Sequence, residues 1–370
     1  IFCDNMNKKS KIILIVLIIL IVALIGINLF LSPSTTKSNE NHTITDMGNR
    51  SVQTPITPSK VVSTSPPITT VLYMLAPDKL GGMNFQWTKE ELKYVPWQYK
   101  NYANIGGWYG SQTGNYEQFL ASEPDVIFDS VDESGDISDI NDRQKKFGSI
   151  PVVAVYDDTN ISTMSSSIKF VGKVLNKEDE ANKLCEFNNK NINKVKEVSN
   201  SIPDKDKKTV YYAEGDDGLS TDPSGSSHGQ LIDLCGGKNV AEIGSSNTSS
   251  SVQVSIEEVM KWNPEIIITT DSDFYKNVYN SSKWSNIKAV KNHQVYLSPS
   301  SPYKWFDRPV GANMIIGVPW TAKVIYPDKY KDINLTSETK EFYKDYYHID
   351  LSDNDIKSML EESGLNETNM

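Results

Sequence analysis

Apolar and polar positions follow three different rhythms along this chain, and each predicts a different kind of element. Residues 12 to 31 are aliphatic and uncharged, interrupted only by Gly26 and Asn28. At about 1.5 Å per residue such a helix spans about 30 Å, the hydrocarbon core of a bilayer. Lys8, Lys9 and Lys11 precede it and Ser32-Pro33-Ser34-Thr35-Thr36 follow. The positive-inside rule then keeps the lysines in the cytoplasm and exports the rest. The run is longer than a signal-peptide core, Gly26 to Phe30 make a poor cleavage site, and no cysteine follows for a lipid anchor. The expectation is an uncleaved N-terminal transmembrane helix: 1–11 cytoplasmic, 12–31 the anchor, 32–43 a flexible stalk. Met6 reads as the start, with Ile1 to Asn5 upstream of it.

Beyond the stalk, short apolar runs alternate with segments of helical period. Ile44 to Pro55 predicts a hairpin turning at Met47 to Arg50, and Lys60 to Thr64 a strand. Ile68 to Leu75 predicts a helix, with Ser65 to cap it and Pro67 in its first turn. Lys79 to Met83 reads as a short strand, before a loop carrying Phe85, Trp87, Tyr94, Trp97, Tyr99 and Tyr102. Then come helix Asn115–Ser122, strand Asp125–Phe128, helix Ile137–Phe147 and strand Val152–Tyr156. Between Ile161 and Ser199 the apolar positions recur at helical spacing without a proline, predicting one long helix or two nearly continuous ones. Alternation resumes with strand Thr209–Ala213, helices Gly229–Cys235 and Ile256–Trp262, and strand Glu265–Thr269. A short helix Lys283–Ile287, strand Gln294–Leu297 and a helix Asn313–Ile325 kinked at Pro319 follow. Helices Glu338–Tyr346 and Asp353–Glu361 end the chain. Such alternation defines an α/β protein with parallel sheets. The lobes are placed at 44–158 and 203–335, joined by 159–202, with terminal helices in 336–370.

Composition narrows the classes. The chain has 370 residues and a net charge of −10. Three lysines against Asp4 give residues 1–31 a net +2, so the exported part is near −12. An acidic ectodomain argues against nucleic acid as a partner. Beyond the anchor only Cys185 and Cys235 occur, too few and too far apart for a disulfide framework, so two buried thiols are expected. Sequons at Asn41, Asn160, Asn247, Asn280 and Asn334 fit an exported surface. His42, His228, His293 and His348 are scattered without metal-ligand spacing, which argues against a bare metal ion.

The two lobes repeat a phrase. Asn115-Tyr116-Glu117-Gln118-Phe119-Leu120-Ala121-Ser122-Glu123-Pro124-Asp125 leads into Val126-Ile127-Phe128. Ser255-Ile256-Glu257-Glu258-Val259-Met260-Lys261-Trp262-Asn263-Pro264-Glu265 leads into Ile266-Ile267-Ile268. Each is a short helix with an early glutamate, then x-Pro-acid, then a buried strand. With Lys60-Val61-Val62-Ser63-Thr64-Ser65-Pro66, Asn104-Ile105-Gly106-Gly107-Trp108 and Leu231 to Val240, this ordered set resembles the ABC-transporter substrate-binding proteins for iron-siderophores, haem and cobalamin. The match runs from about Ile44 to Tyr347. The resemblance implies the class III periplasmic-binding-protein fold: two Rossmann-like lobes with central parallel sheets, a rigid connecting α-helix, and a ligand cleft that closes little. It also implies that Glu117 and Glu257 dock onto a permease dimer driven by a cytoplasmic ATPase. It brings no cofactor and no catalysis. The cargo it implies is a ferric siderophore, corrinoid, haem, nickel chelate, or molybdate or tungstate.

Ligands of α/β sheets sit beyond the carboxyl ends of strands. From the first lobe, Ser65, Trp87, Trp108 and Tyr109 are candidates, offering a hydroxyl and flat apolar faces. From the second come His228, Tyr303, Trp305 and Arg308. His228 opens a helix and is a possible ligand to a chelated metal. Arg308 is expected to clamp an anion through two parallel bonds. A competing class is a surface serine hydrolase. Gly225-Ser226-Ser227-His228-Gly229 has the nucleophile-elbow spacing, with Asp271 or Asp307 and His293 or His348 in triad order. Asp222-Pro223-Ser224 precedes Ser227 as loop, however, where an elbow needs a strand. An adhesive surface protein would need β-rich repeats, which the alternation does not provide.

Overall fold

A computed structural model describes residues 40–131, 134–157, 159–244, 251–367 and 370. The expected anchor at 12–31, residues 32–39 of the stalk and Asn247 lie outside them; the last three stalk residues, Asn41 to Thr43, are not flexible linker but strand, paired with Gln53 to Pro55. No helix among the described residues is long and apolar enough to cross a membrane. The hairpin is present as β1 (Asn41–Thr45) against β2 (Ser51–Pro55), with Thr45 opposite Ser51. Asp46 closes its turn by accepting from the backbone of Gly48 and Arg50 and holding the Arg50 guanidinium at 2.7 Å.

The first α/β half contains β3 (Val61–Ser63), α1 (Pro66–Leu75), α2 (Tyr116–Ala121), β4 (Val126–Val131), α3 (Ser138–Phe147) and β5 (Val152–Tyr156). Its three strands form a parallel sheet with β4 in the centre. They are near-continuous Val/Ile runs, the pattern of strands covered on both faces. The expected strand at Lys79–Met83 is not one. A 3-10 turn covers Pro77–Lys79, and Leu80 and Met83 make only single bridges to Val61 and Asn104. Gly81 and Gly82 leave this segment without side chains to pack a longer ladder.

Two helices join the halves: α4 (Ser165–Leu175) and α5 (Glu178–Ser199), packed on each other. Asn176 breaks the run by adopting a left-handed backbone, φ 55, a conformation that asparagine tolerates better than most residues.

The second half supplies β6 (Thr209–Ala213), β7 (Ser220–Thr221), α6 (Gln230–Leu234), β8 (Lys238–Asn239), β9 (Val252–Gln253), α7 (Ile256–Trp262), β10 (Ile266–Thr269), α8 (Ser272–Asn277), α9 (Lys288–Lys291) and β11 (Val295–Leu297). The parallel sheet runs β11-β10-β6-β8, while β7 and β9 pair antiparallel beside it. The sequence pattern misses α8, whose six residues are too few to show a period; Asp271 caps it by accepting from the backbone of Asp273 and Phe274. The segment read as helix at Lys283–Ile287 is turn, and the helical residues begin one position later. Helices α10 (Met314–Ile325), α11 (Leu335–Tyr346) and α12 (Asp353–Glu362) close the chain. All of α10 is buried, with Pro319 inside it.

One apolar cluster runs from the first sheet through α1, α4, α5 and α10 into the second, while a smaller cluster covers the outer face of each sheet. A shared core of this kind leaves the halves little freedom to hinge. Cys185 and Cys235 are both buried and free.

Candidate functional site

The carboxyl ends of the two sheets carry polar groups of very different character. In the first half, β3 ends in Ser63 and leads into Thr64 and Ser65, all three buried. Gly107 allows the chain to return here: a Cβ on it would stand 2.1 Å from the Thr64 carbonyl, which accepts from Trp108 N at 2.8 Å. Ser65 occupies the N-cap position of α1 but makes no cap bond, and its Oγ is buried without a partner. Trp108 packs on Tyr116, Phe119 and Phe147, under the Arg143 guanidinium. Tyr109 donates to the Asn84 carbonyl at 2.9 Å. Both rings line a cavity of about 450 Å³ beyond β4 and β5, together with Ser130, Arg143 and Asp157.

Trp87, Tyr303 and Trp305 are not at a cleft surface. Trp87 and Tyr303 stand 5.8 Å apart in edge contact, and each packs edge-on against Tyr73 at 5.6 and 5.7 Å. Tyr347 also packs against Tyr303. The cluster therefore ties α1, the aromatic loop, the 303–308 segment and the terminal helices together. Trp305 is fully buried against Tyr343. Its carbonyl approaches so closely that a Cβ on Gly317 of α10 would stand 1.9 Å away. These three side chains satisfy the general tendency of aromatics to bury their faces.

The second half assembles a charged cluster. Glu214 follows β6, and the hairpin from β6 to β7 brings Asp222 back beside it. His228 sits in a single 3-10 turn, Ser227–Gly229, with the Ser226 hydroxyl accepting from His228 N. Ser298 accepts from the backbone of Trp305 and Phe306, and Asn313 donates to the carbonyls of Lys304 and Pro309. The loop bearing Asp307 and Arg308 is thus pinned at both ends. Arg308 itself has φ 56, a left-handed conformation costing a side-chain-bearing residue about 1 kcal/mol or more.

Arg308 Nε donates to Glu214 at 2.9 Å, and Nη2 bonds to both Glu214 and Asp222 at 2.9 Å. The fork expected to clamp a ligand is therefore spent on two acids. Nη1 faces His228 Nε2 at 3.3 Å. His228 Nδ1 lies 2.8 Å from Asp307 Oδ1, and Tyr212 OH donates to Oδ2 at 3.1 Å. A carboxylate only accepts, so Nδ1 carries a proton; in the neutral ring Nε2 then holds the lone pair, facing a guanidinium nitrogen that only donates. Asp222, His228 and Asp307 each bring a ligand atom within 4.8 Å of the others, spacing that suits a cation; the Arg308 guanidinium provides one there.

Three acids face one arginine and one histidine, and the Glu214 and Asp222 carboxyls also hydrogen-bond to each other. Burial, then the neighbouring Asp222, pushes the Glu214 carboxyl up to about 8. Burial by itself would lower the His228 pKa, but the bond to Asp307 and its charge outweigh that and raise it. Arg308 is held charged by the same acids. Asp307 appeared in the sequence only as an alternative partner, and Glu214 and Asp222 carried no local signal. Of the hydrolase residues, His348 Nε2 lies 3.0 Å from the Tyr73 carbonyl, and His293 stacks on Tyr279. Neither is drawn to Ser227.

Glu117 and Glu257 occupy matching places. Both are exposed, and neither carboxylate has an ion-pair or hydrogen-bond partner among the described residues. Asn115 and Ser255 cap the two helices. Glu123 and Asn263, just before the prolines, adopt left-handed backbones of φ 50 and 46. Asp125 and Glu265 then brace the adjoining segments, accepting from the backbone of Lys60 at 3.0 Å and Thr209 at 3.1 Å.

Residues 61–302 match the periplasmic binding protein family. The chain belongs to that family, in its class III form with two parallel-sheet halves. An ABC transporter solute binding protein from Sulfurospirillum deleyianum DSM 6946 superposes with a TM-score of 0.78 at 30% identity, covering 86% of this chain and 99% of that one. The molybdate-binding protein MolA of Haemophilus influenzae is 27% identical over 262 residues, 63% of this chain and 70% of the relative. An uncharacterized ABC transporter substrate-binding lipoprotein of Bacillus subtilis, YvrC, is 27% identical over 296 residues, 78% of this chain and 87% of the relative.

Proposed function

We propose that this chain is the extracellular receptor of an ABC importer and that its cargo is an anionic metal chelate, such as a ferric siderophore, with one open coordination position. One observation carries the reading: Asp307 fixes the His228 tautomer, so that Nε2 presents its lone pair beside Arg308 Nη1. Carboxylate–histidine pairs of this kind prepare an imidazole for a metal. A chelate reaching the site takes Nε2 as a ligand, and Nη1, freed from the ring, donates to an anionic oxygen of the chelate. The acids behind Arg308 hold the guanidinium rather than compete for the cargo. Trp108 and Tyr109 border the cavity of the first half and offer flat apolar surface to the chelator. Glu117 and Glu257 dock the receptor on the permease, and residues 12–31 tether it, on the sequence grounds given above.

A second reading, molybdate or tungstate, is supported by the resemblance to MolA. There Arg308 and a protonated His228 donate to oxoanion oxygens. The test is native mass spectrometry with elemental analysis of the purified chain, offered ferric chelates, a corrinoid, haem, a nickel chelate, molybdate and tungstate. Retention of one of them, lost in Arg308→Ala and His228→Ala, is the expected result. Retention unaffected by both substitutions would remove the site from the proposal, and no retention across the panel would remove the cargo class.

A further inference from the structure

Helices α2 and α7 expose more than their glutamates. Position by position, Asn115 to Leu120 and Ser255 to Met260 follow the same sequence of exposed, half-buried and buried residues. Phe119 and Val259 are fully buried and seat each helix on its sheet. Leu120 and Met260, next in line, are 42% and 41% exposed. Only six large hydrophobic residues are exposed among the described residues, and two of them hold this one repeated position. Each lies three residues after its glutamate, so the two side chains are neighbours on one helix face.

An exposed leucine or methionine alone means little, since folded surfaces are rich in apolar atoms. The shared seating of the two helices accounts for the same exposure at the same place, but it does not demand a bulky aliphatic side chain there in either segment. The buried residue changes from Phe to Val, the cap from Asn to Ser and the neighbour from Gln118 to Glu258, yet an acid and a bulky aliphatic side chain stand side by side in both.

We infer that Leu120 and Met260 are contact residues for the permease, and that each half docks through a two-point unit of one acid and one apolar side chain. The inference rests on the docking role proposed for Glu117 and Glu257. The partner it fits offers two equivalent sockets, each an apolar hollow beside a basic residue, as a twofold-symmetric membrane protein would. Charge brings the acids to the basic residues and sets the encounter rate; burial of Leu120 and Met260 slows dissociation. Methionine in one unit and leucine in the other suit sockets of similar volume, methionine being the more adaptable.

The test measures binding of the full chain to the permease–ATPase complex reconstituted in liposomes, alongside cargo affinity. Leu120→Ser with Met260→Ser is expected to weaken docking by about ten-fold or more, as loss of two buried aliphatic contacts requires, with cargo affinity and thermal midpoint unchanged. The exchange Leu120→Met with Met260→Leu is expected to dock like the parent. Normal docking of the double serine variant, while Glu117→Arg with Glu257→Arg fails to dock, would overturn the apolar half alone. Normal docking of both double variants would overturn the docking role itself.

Discussion

The carboxyl ends of the two parallel sheets solve one problem in opposite ways. In the first half a single buried acid, Asp129 on β4, meets a single arginine: Arg143 Nε donates to it at 2.5 Å and the Thr64 hydroxyl takes its other oxygen. Both Asp129 oxygens are satisfied there, Arg143 also reaches the exposed Asp139 at 3.7 Å, and Trp108 covers it further. In the second half Glu214, Asp222 and Asp307 surround Arg308 and His228, Glu214 and Asp222 hydrogen-bond to each other, and a third of the Arg308 side chain is still exposed. A buried pair with both carboxylate oxygens satisfied reads as structure, although Arg143 also lines the cavity beside Trp108 and Tyr109. A cluster whose acids share a proton and whose arginine is still partly exposed can rearrange around something that completes it.

That contrast sets three predictions, beginning with the largest effect. Arg143→Ala leaves Asp129 charged, buried and unpaired, which costs about 3–5 kcal/mol of stability. Chemical denaturation should show that loss, with cargo affinity of the folded fraction unchanged. A marked fall in affinity would place Arg143 with the ligand and erase the distinction between the halves. Asp307→Asn should do the reverse. It no longer fixes the His228 tautomer, and cargo affinity should fall by about 10- to 100-fold, read by titration calorimetry, with a smaller loss of stability.

The third effect is smaller and depends on pH. Glu214 ionises near pH 8 in the folded chain, above its ordinary value. A group whose pKa is raised on folding adds stability below its unfolded pKa, and that contribution is lost as pH rises toward the folded pKa. The Glu214 contribution to the parent's stability should therefore be lost between about pH 4.5 and 8. Glu214→Gln keeps an acceptor for Arg308 but removes the ionisation, so its thermal midpoint should gain on the parent as pH rises from 6 to 9. Parallel curves for the two proteins would show that Glu214 does not titrate in this window.

Much of the architecture was legible in the pattern of residues. Strand β5 has the bounds its Val run suggested, and the repeated phrase lies where it was read, because caps, prolines and apolar runs act over a few residues. The linking segment was legible as helical, but Asn176 decided that it forms two helices. The site was legible only in part. His228 and Arg308 were visible as chemistry, while the partners that define their state were not. Arg308 meets Glu214 and Asp222 across 94 and 86 residues of chain, and no local spacing encodes such a meeting. Trp87, Tyr303 and Trp305, read as cleft candidates, are buried, and the sequence did not show it for the same reason: an aromatic ring in a loop has the same sequence whether it faces a ligand or a core.

By itself the sequence determined what depends on neighbours along the chain: alternating strands and helices, a bridging helical segment, an acidic surface and two echoing helix–proline–strand units. Family membership followed from their order. The tertiary structure decided which of the remaining residues are free to act. It turned three aromatics inward, spent the Arg308 fork on two acids, left His228 Nε2 facing the remaining nitrogen, and brought Leu120 and Met260 to the surface beside their glutamates. Those outcomes depend on burial and on partners tens of residues away, and such partners meet only when the sheets and helices have packed.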